Sequence, residues 1–147
     1  MAVKKVILVG EEFCIRRESY ADAAITPGML LERTATGVKA HAGAAANAQP
    51  LFAYEREMTG DGIDVAYEAD DTCLMAHCPP GVVVWALAGA AGVTAFGFVE
   101  SSGDGQLVDV QTDAATDEGQ RASVVGLALK QPLLVFVSSA KSFNLTL

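Results

Sequence analysis

Tyr67–Val110 reads YEADDTCLMAHCPPGVVVWALAGAAGVTAFGFVESSGDGQLVDV, and the fold turns on how its apolar residues are divided. Taken as one block, the 18 residues Val82–Val99 carry no charge and approach the length of a membrane-spanning helix. Gly89, Gly92 and Gly97 interrupt that block, and neither end has a Lys or Arg flank. Val82, Val83, Val84, Val93, Phe96 and Phe98 favour strands, and Gly89-Ala90-Ala91-Gly92 has the composition of a turn. Pro79-Pro80-Gly81 stops a strand over Thr72–Cys78. Ser101-Ser102-Gly103-Asp104-Gly105 turns the chain into Leu107–Gln111. The stretch is read as consecutive hairpin strands rather than a span.

The same pattern continues on both sides. Short strands are expected at Val3–Val9, Met29–Arg33, Val38–His41, Pro50–Glu55, Ala122–Leu129 and Leu133–Val137, with Ile63–Tyr67 as a weaker pairing segment. Ala42–Gln49 is Ala-rich but has no stripe of large apolar residues, so it is expected to be a loop. Thr112–Gln120 is a polar, acidic loop. Eight to ten short strands without a long helix predict an all-β domain, a compact β-sandwich or β-barrel. Residues 13–24 show neither a helical stripe nor an alternation. Residues 1–26 are therefore expected to form an extended N-terminal arm outside the core, 27–138 the β domain and 139–147 a C-terminal tail.

The chain has 147 residues, one domain's worth, with 10 Lys+Arg against 18 Asp+Glu and a net charge of −8. An acidic surface repels phosphate backbones and argues against nucleic-acid binding. The three cysteines, Cys14, Cys73 and Cys78, do not suit a secreted disulfide framework. The first apolar run stops at Glu11, too short for a signal-peptide core. Synthesis in a cytoplasm with reduced thiols is expected.

Chemistry is sparse. Lys4–Gly10, KKVILVG, looks like the first strand of a dinucleotide fold, but Glu11-Glu12 follows Gly10 where a phosphate would sit. On a strand, Cys73 and His77 share a face yet lie about 13 Å apart, and His77 and Cys78 point to opposite faces. Neither pair makes a local nucleophile–base dyad. Cys73-x4-Cys78 is the nearest metal-ligand spacing, and it too spans opposite faces. Asp61-Gly62-Ile63-Asp64 lacks the alternation of a calcium loop. No catalytic, cofactor-binding or metal-ligating residue is assigned, and no enzymatic activity is expected. The competing reading is a small β-barrel enzyme or ligand-binding protein using His41, His77, Cys73 or Asp64. Trp85 is expected in the core. Phe96-Gly97-Phe98 suits a barrel corner or a subunit contact.

The order of motifs adds a resemblance. Ile25-Thr26-Pro27-Gly28 with Leu30-Leu31 is followed by Gly37-Val38, Phe52-Ala53-Tyr54-Glu55, Gly62-Ile63-Asp64 and Tyr67-Glu68-Ala69-Asp70-Asp71. Then come Pro80-Gly81, Gly97 with Val99-Glu100, Gly103-Asp104-Gly105-Gln106-Leu107 and Val125-Gly126-Leu127-Ala128-Leu129. This succession resembles the head decoration (cement) proteins of tailed bacteriophages. The resemblance implies a structural virion protein, made in the host bacterial cytoplasm and bound to the outer face of the capsid. There it would stabilise the shell by bridging neighbouring subunits. The implied partners are the major capsid protein and further copies of the chain, in a homotrimer or a dimer, with no nucleic acid, membrane or cofactor. An N-terminal arm often makes the contacts in such proteins. That assigns Val6, Ile7, Leu8, Phe13, Arg16, Arg17 and Tyr20 as capsid or subunit contacts. A tail or fibre module of the virion is the nearest alternative.

Overall fold

The computed structural model describes residues 5–110, 124–130 and 134–137. The expected C-terminal tail, the acidic loop 112–120 and residues 1–4 of the expected arm lie outside them. The chain is all-β, as its turn spacing predicts. Among the described residues, eleven short strands run in the order β1 (Ile7–Val9), β2 (Ile15–Tyr20), β3 (Leu31–Arg33), β4 (Val38–Ala40), β5 (Leu51–Ala53), β6 (Thr72–His77), β7 (Val83–Trp85), β8 (Phe98–Ser101), β9 (Leu107–Asp109), β10 (Gly126–Lys130) and β11 (Leu134–Val137). Short 3-10 turns at Glu11–Phe13 and Glu57–Thr59 are the helical elements among the described residues.

The strands form a six-stranded sheet of order β1-β7-β11-β10-β8-β9, a three-stranded sheet β2-β6-β5 and the β3-β4 hairpin. The described neighbours in these sheets pair antiparallel. The six-stranded sheet curls until Ala88, just past β7, meets Leu107 of β9 in one isolated parallel bridge. A single bridge is not a ladder, so the barrel alternative gives way to packed sheets.

Within the β2-β6-β5 sheet, β5 and β6 lie between two apolar clusters and bury side chains on both faces, whereas β2 is largely exposed. Phe52 and Tyr54 of the β5 segment, with Ala76 and Cys78 at β6, face one cluster, which includes Val6, Ile7, Val84 and Val99 from the six-stranded sheet side. Leu51, Ala53, Cys73 and Met75 face the other, which holds Ala21, Ile25, Leu31, Val38 and Tyr67. Burial on both faces explains why LFAY and CLMA run apolar without alternation. Trp85 is half-buried and packs against the first cluster.

Two expectations are corrected. The arm is absent over the described part of residues 1–26. Val6 and Ile7 are buried in the first cluster, β1 pairs with β7, and β2 pairs with β6 through six positions. A strand needs no alternation of its own when it borders a sheet whose neighbour carries the core residues. The hairpin reading of Val82–Val99 also fails, because β10 and β11 separate β7 from β8. Gly89–Gly92 still turns, with the Gly92 N–H on the Gly89 carbonyl at 2.8 Å, but it links non-adjacent strands. Phe96 is not in a strand; its φ is 63° and its side chain is exposed.

The β8–β9 turn locks onto the β3-β4 hairpin. The Leu30 N–H donates to the Gly105 carbonyl at 2.8 Å, and the Gly105 N–H to the His41 carbonyl at 3.2 Å. Gly105 has φ +80°, and a Cβ there would stand 3.0 Å from the Ala40 Cβ, so glycine is required twice over.

Candidate interaction surface

The N-terminal third builds an exposed ledge. Each of β1 and β2 borders its sheet, and the chain crosses between them through Gly10 and the Glu11–Phe13 turn. Gly10 takes φ +86°, and the turn holds by Phe13 N–H to Gly10 carbonyl at 3.0 Å. This crossing leaves Leu8, Val9, Phe13, Ile15 and Tyr20 exposed, with Phe13 at 68% and Tyr20 at 64%. Met58, on the neighbouring 3-10 turn, is exposed as well.

Beside these residues sits an ordered ionic cluster. The Arg16 guanidinium lies 4.7 Å above the Tyr54 ring and donates to the Tyr54 hydroxyl at 2.9 Å. It also pairs with Glu57 at 3.2 Å and with Glu11. The Tyr54 hydroxyl is directed at Glu11 and at Glu57, 3.1 Å away. Burial and the adjacent Glu55 carboxylate hold the Tyr54 phenol well above its usual range. Lys5 joins Glu11 at 3.8 Å. Half-exposed pairs of this kind add little stability singly, but they fix Arg16 flat against the protein. A cleft of about 440 Å³ opens here, lined among others by Arg16, Arg17, Glu18, Tyr54 and Met58.

The outer edge of β2, which no described strand pairs, is the second component. The Leu74 carbonyl accepts from the Tyr54 N–H at 2.8 Å, on the β5 side. Glu18, opposite Leu74, therefore occupies a non-hydrogen-bonded position, as does Arg16 opposite Ala76. Their backbone N–H and C=O groups point away from β6. Among the described residues only the Tyr20 end is covered, by Gly37, where a Cβ would fall 2.1 Å from the Tyr20 carbonyl oxygen.

Of the residues assigned as contacts, Leu8, Phe13, Arg16, Arg17 and Tyr20 are on this exposed ledge. Val6 and Ile7 are not: they fill the protein's own core and present no surface. Ile15, Val9 and Met58, which the resemblance does not single out, are exposed there as well. An isoleucine and a valine exposed on the outer side of strands carry no signal in composition alone.

The residues of the competing enzymatic reading do not converge into a reactive centre. Cys73 is buried in the second cluster, where burial pushes its thiol up to about 12. His77 is a half-buried rung between Ile15 and Leu51, and Asp64 is exposed on a loop. His41 is buried, with Nδ1 2.7 Å from the Ser101 hydroxyl, Nε2 3.2 Å from the Asn47 carbonyl and Nε2 3.9 Å from Glu32. Carboxylate, imidazole and hydroxyl in series resemble a hydrolytic triad. Ser101, however, is 1% exposed and accepts the Gly103 N–H at 3.2 Å. No substrate reaches a hydroxyl enclosed in this way, and the group acts as a clasp between β4 and β8. Among the described residues no group of three or more His, Cys, Asp and Glu side chains is arranged to hold a metal ion. No helix among them is long and apolar enough to cross a membrane.

Comparison with known proteins bears on the fold. No protein-family model matches the chain, and no curated protein matches it. A solved structure does: the N base of the head fibre protein gp8.5 in bacteriophage phi29, at a TM-score of 0.56. The likeness covers 86% of this chain and 95% of that one at 13% sequence identity, and it is a likeness of fold.

Proposed function

We propose that the protein is a structural component of a bacteriophage virion that attaches to the outer face of the capsid and stabilises it by bridging neighbouring shell subunits. The observation that carries this reading is the shared fold with a phage head-fibre base over most of both chains. The exposed N-terminal ledge supports it. Leu8, Phe13, Ile15 and Tyr20 are exposed apolar side chains along this stretch, with Ile15 and Arg17 on one face of β2 and Arg16 and Tyr20 on the other, and binding would cover them. The open β2 edge offers backbone groups to an added strand. In this reading the domain presents a rigid edge to its partner, and no flexible arm is needed. Partners are the major capsid protein and further copies of the chain, as a trimer or a dimer; an acidic surface keeps the protein from the packaged genome.

The test mixes purified protein with undecorated, expanded capsids and measures bound copies by sedimentation. Saturation at a fixed number per capsid is expected, with binding weakened at least tenfold in Phe13→Ser/Tyr20→Ser. Absence of saturable binding overturns the reading. A second reading, the base of a head fibre, is favoured by the identity of the structural neighbour. Electron microscopy of virions carrying tagged protein separates the two: isolated projections mark a fibre base, and a regular lattice of density marks decoration.

A further inference from the structure

We propose that Cys14 and Cys78 form a latent disulfide, closed by exchange with a small-molecule disulfide once the protein leaves a reducing environment. The proposal is independent of the capsid reading. The β2–β6 ladder ends at Ile15 opposite His77, and the next step sets Cys14 opposite Cys78. Their Sγ atoms are 3.8 Å apart. The Cys78 N–H donates to the Pro50 carbonyl at 2.9 Å and the Cys14 N–H to the Glu11 carbonyl at 3.1 Å. Neither backbone bonds the other, so the pair occupies a non-hydrogen-bonded position. At such positions Cα atoms approach to about 4.5 Å, within the roughly 4.4–6.8 Å that a disulfide spans.

The surroundings divide the labour. Cys14 is half-exposed and within reach of a small reagent, whereas Cys78 is buried behind it. Cys73, the third thiol, is buried on the opposite face of β6 with its Sγ on the Leu74 carbonyl at 3.5 Å. With glutathione disulfide as oxidant, the Cys14 thiolate attacks one glutathione sulfur, forming a mixed disulfide and expelling one glutathione thiolate. The Cys78 thiolate then attacks the Cys14 sulfur and expels the second. Two protein thiols are oxidised, one glutathione disulfide is reduced to two glutathiones, and the two protons pass to the leaving thiolates. Burial raises both protein thiols, so the exchange is slow at neutral pH. The bond joins residues 64 positions apart and fastens the crossing between β1 and β2 to the central sheet.

The full-length reduced protein is incubated natively, and separately refolded from denaturant, in glutathione redox buffer. Intact mass, peptide mapping and thermal unfolding are then measured. A loss of 2 Da, a single Cys14–Cys78 peptide and a rise in midpoint of about 5–15 °C that dithiothreitol reverses are expected. Cys73→Ser should keep the mass loss; Cys14→Ser and Cys78→Ser should abolish it. Three free thiols after refolding, a persistent glutathione adduct, or a pair that includes Cys73 overturns the proposal. The peptide map of the unmodified chain decides even if a variant fails to fold.

Discussion

Single side chains set the limits of stability more than the ionic cluster does. His41 and Ser101 are buried partners, so Ser101→Ala leaves the imidazole nitrogen without its hydroxyl. A loss of about 1–3 kcal/mol in urea unfolding is expected, and a loss below 0.5 kcal/mol would show that the clasp is dispensable. Glu55 makes a comparable tie, its Oε2 accepting the Val6 N–H at 2.9 Å from a fully buried position. Burial also sets the alkaline limit. It raises Cys73 and Tyr67, each to about 12, from ordinary values of 9.0 and 10.0. A group whose folded value is raised stabilises the fold below its unfolded value and loses that contribution as pH climbs towards the folded one. Stability should hold from pH 6 to 8, fall from about pH 9 as the unfolded thiol ionises, and fall faster above pH 10. Cys73→Ala should make the fall between pH 9 and 10 shallower without moving its onset, because burial raises the Cys78 thiol in the same way, read from the midpoint of unfolding against pH. At the acid end, the Glu68 backbone N–H and the Arg56 guanidinium hold Asp71 below the usual carboxylate range. That stabilisation is present above the unfolded carboxylate value and disappears as pH falls below about 4.

The strands divide sharply into those the sequence makes legible and those it conceals. β5 and β6 announce themselves through LFAY and CLMA, and the β8–β9 turn through Gly103-Asp104-Gly105. In that turn the Asp104 carboxylate accepts the Gln106 N–H at 3.1 Å. β2 is concealed because Ile15-Arg16-Arg17-Glu18-Ser19-Tyr20 buries almost nothing; its strand character is imposed by β6, a long-range effect with no local mark. The pairing partners of β7 and β8 are equally invisible, since a glycine turn looks the same whether it joins neighbours or non-neighbours. For the exposed ledge, the charged and aromatic members Phe13, Arg16, Arg17 and Tyr20 are legible as coreless residues. The swap of Val6 and Ile7 for Val9 and Ile15 is not, because only register decides which apolar residues face inward. Two substitutions test that division. Ile7→Ala should cost about 2–4 kcal/mol, whereas Phe13→Ser should change stability by less than about 0.5 kcal/mol. Equal effects in chemical denaturation would mean that β1 is peripheral.

At the scale of the whole molecule, the two clusters meet across one sheet, and Leu74 packs against both. One cooperative unfolding transition is expected, with fluorescence and far-UV circular dichroism coincident. Separated midpoints would show that the β3–β4 side melts alone. Deleting residues 1–24 should abolish that transition, because it removes Val6, Ile7 and the whole of β2 from the assembly; a truncated chain with native midpoint would restore an accessory arm. The strand order carries a further consequence, one of timing. β7 and β8 wait for β11 and β10, which follow both of them in the sequence. A nascent chain made only as far as residue 125 holds most of a core but an incomplete sheet, with a gap between β7 and β8. Long-range closure of this kind is slow, and bare strand edges recruit other chains. A copy interrupted before β10 is thus a sticky fragment, and successful production depends on β10 and β11 arriving before two unfinished sheets find each other.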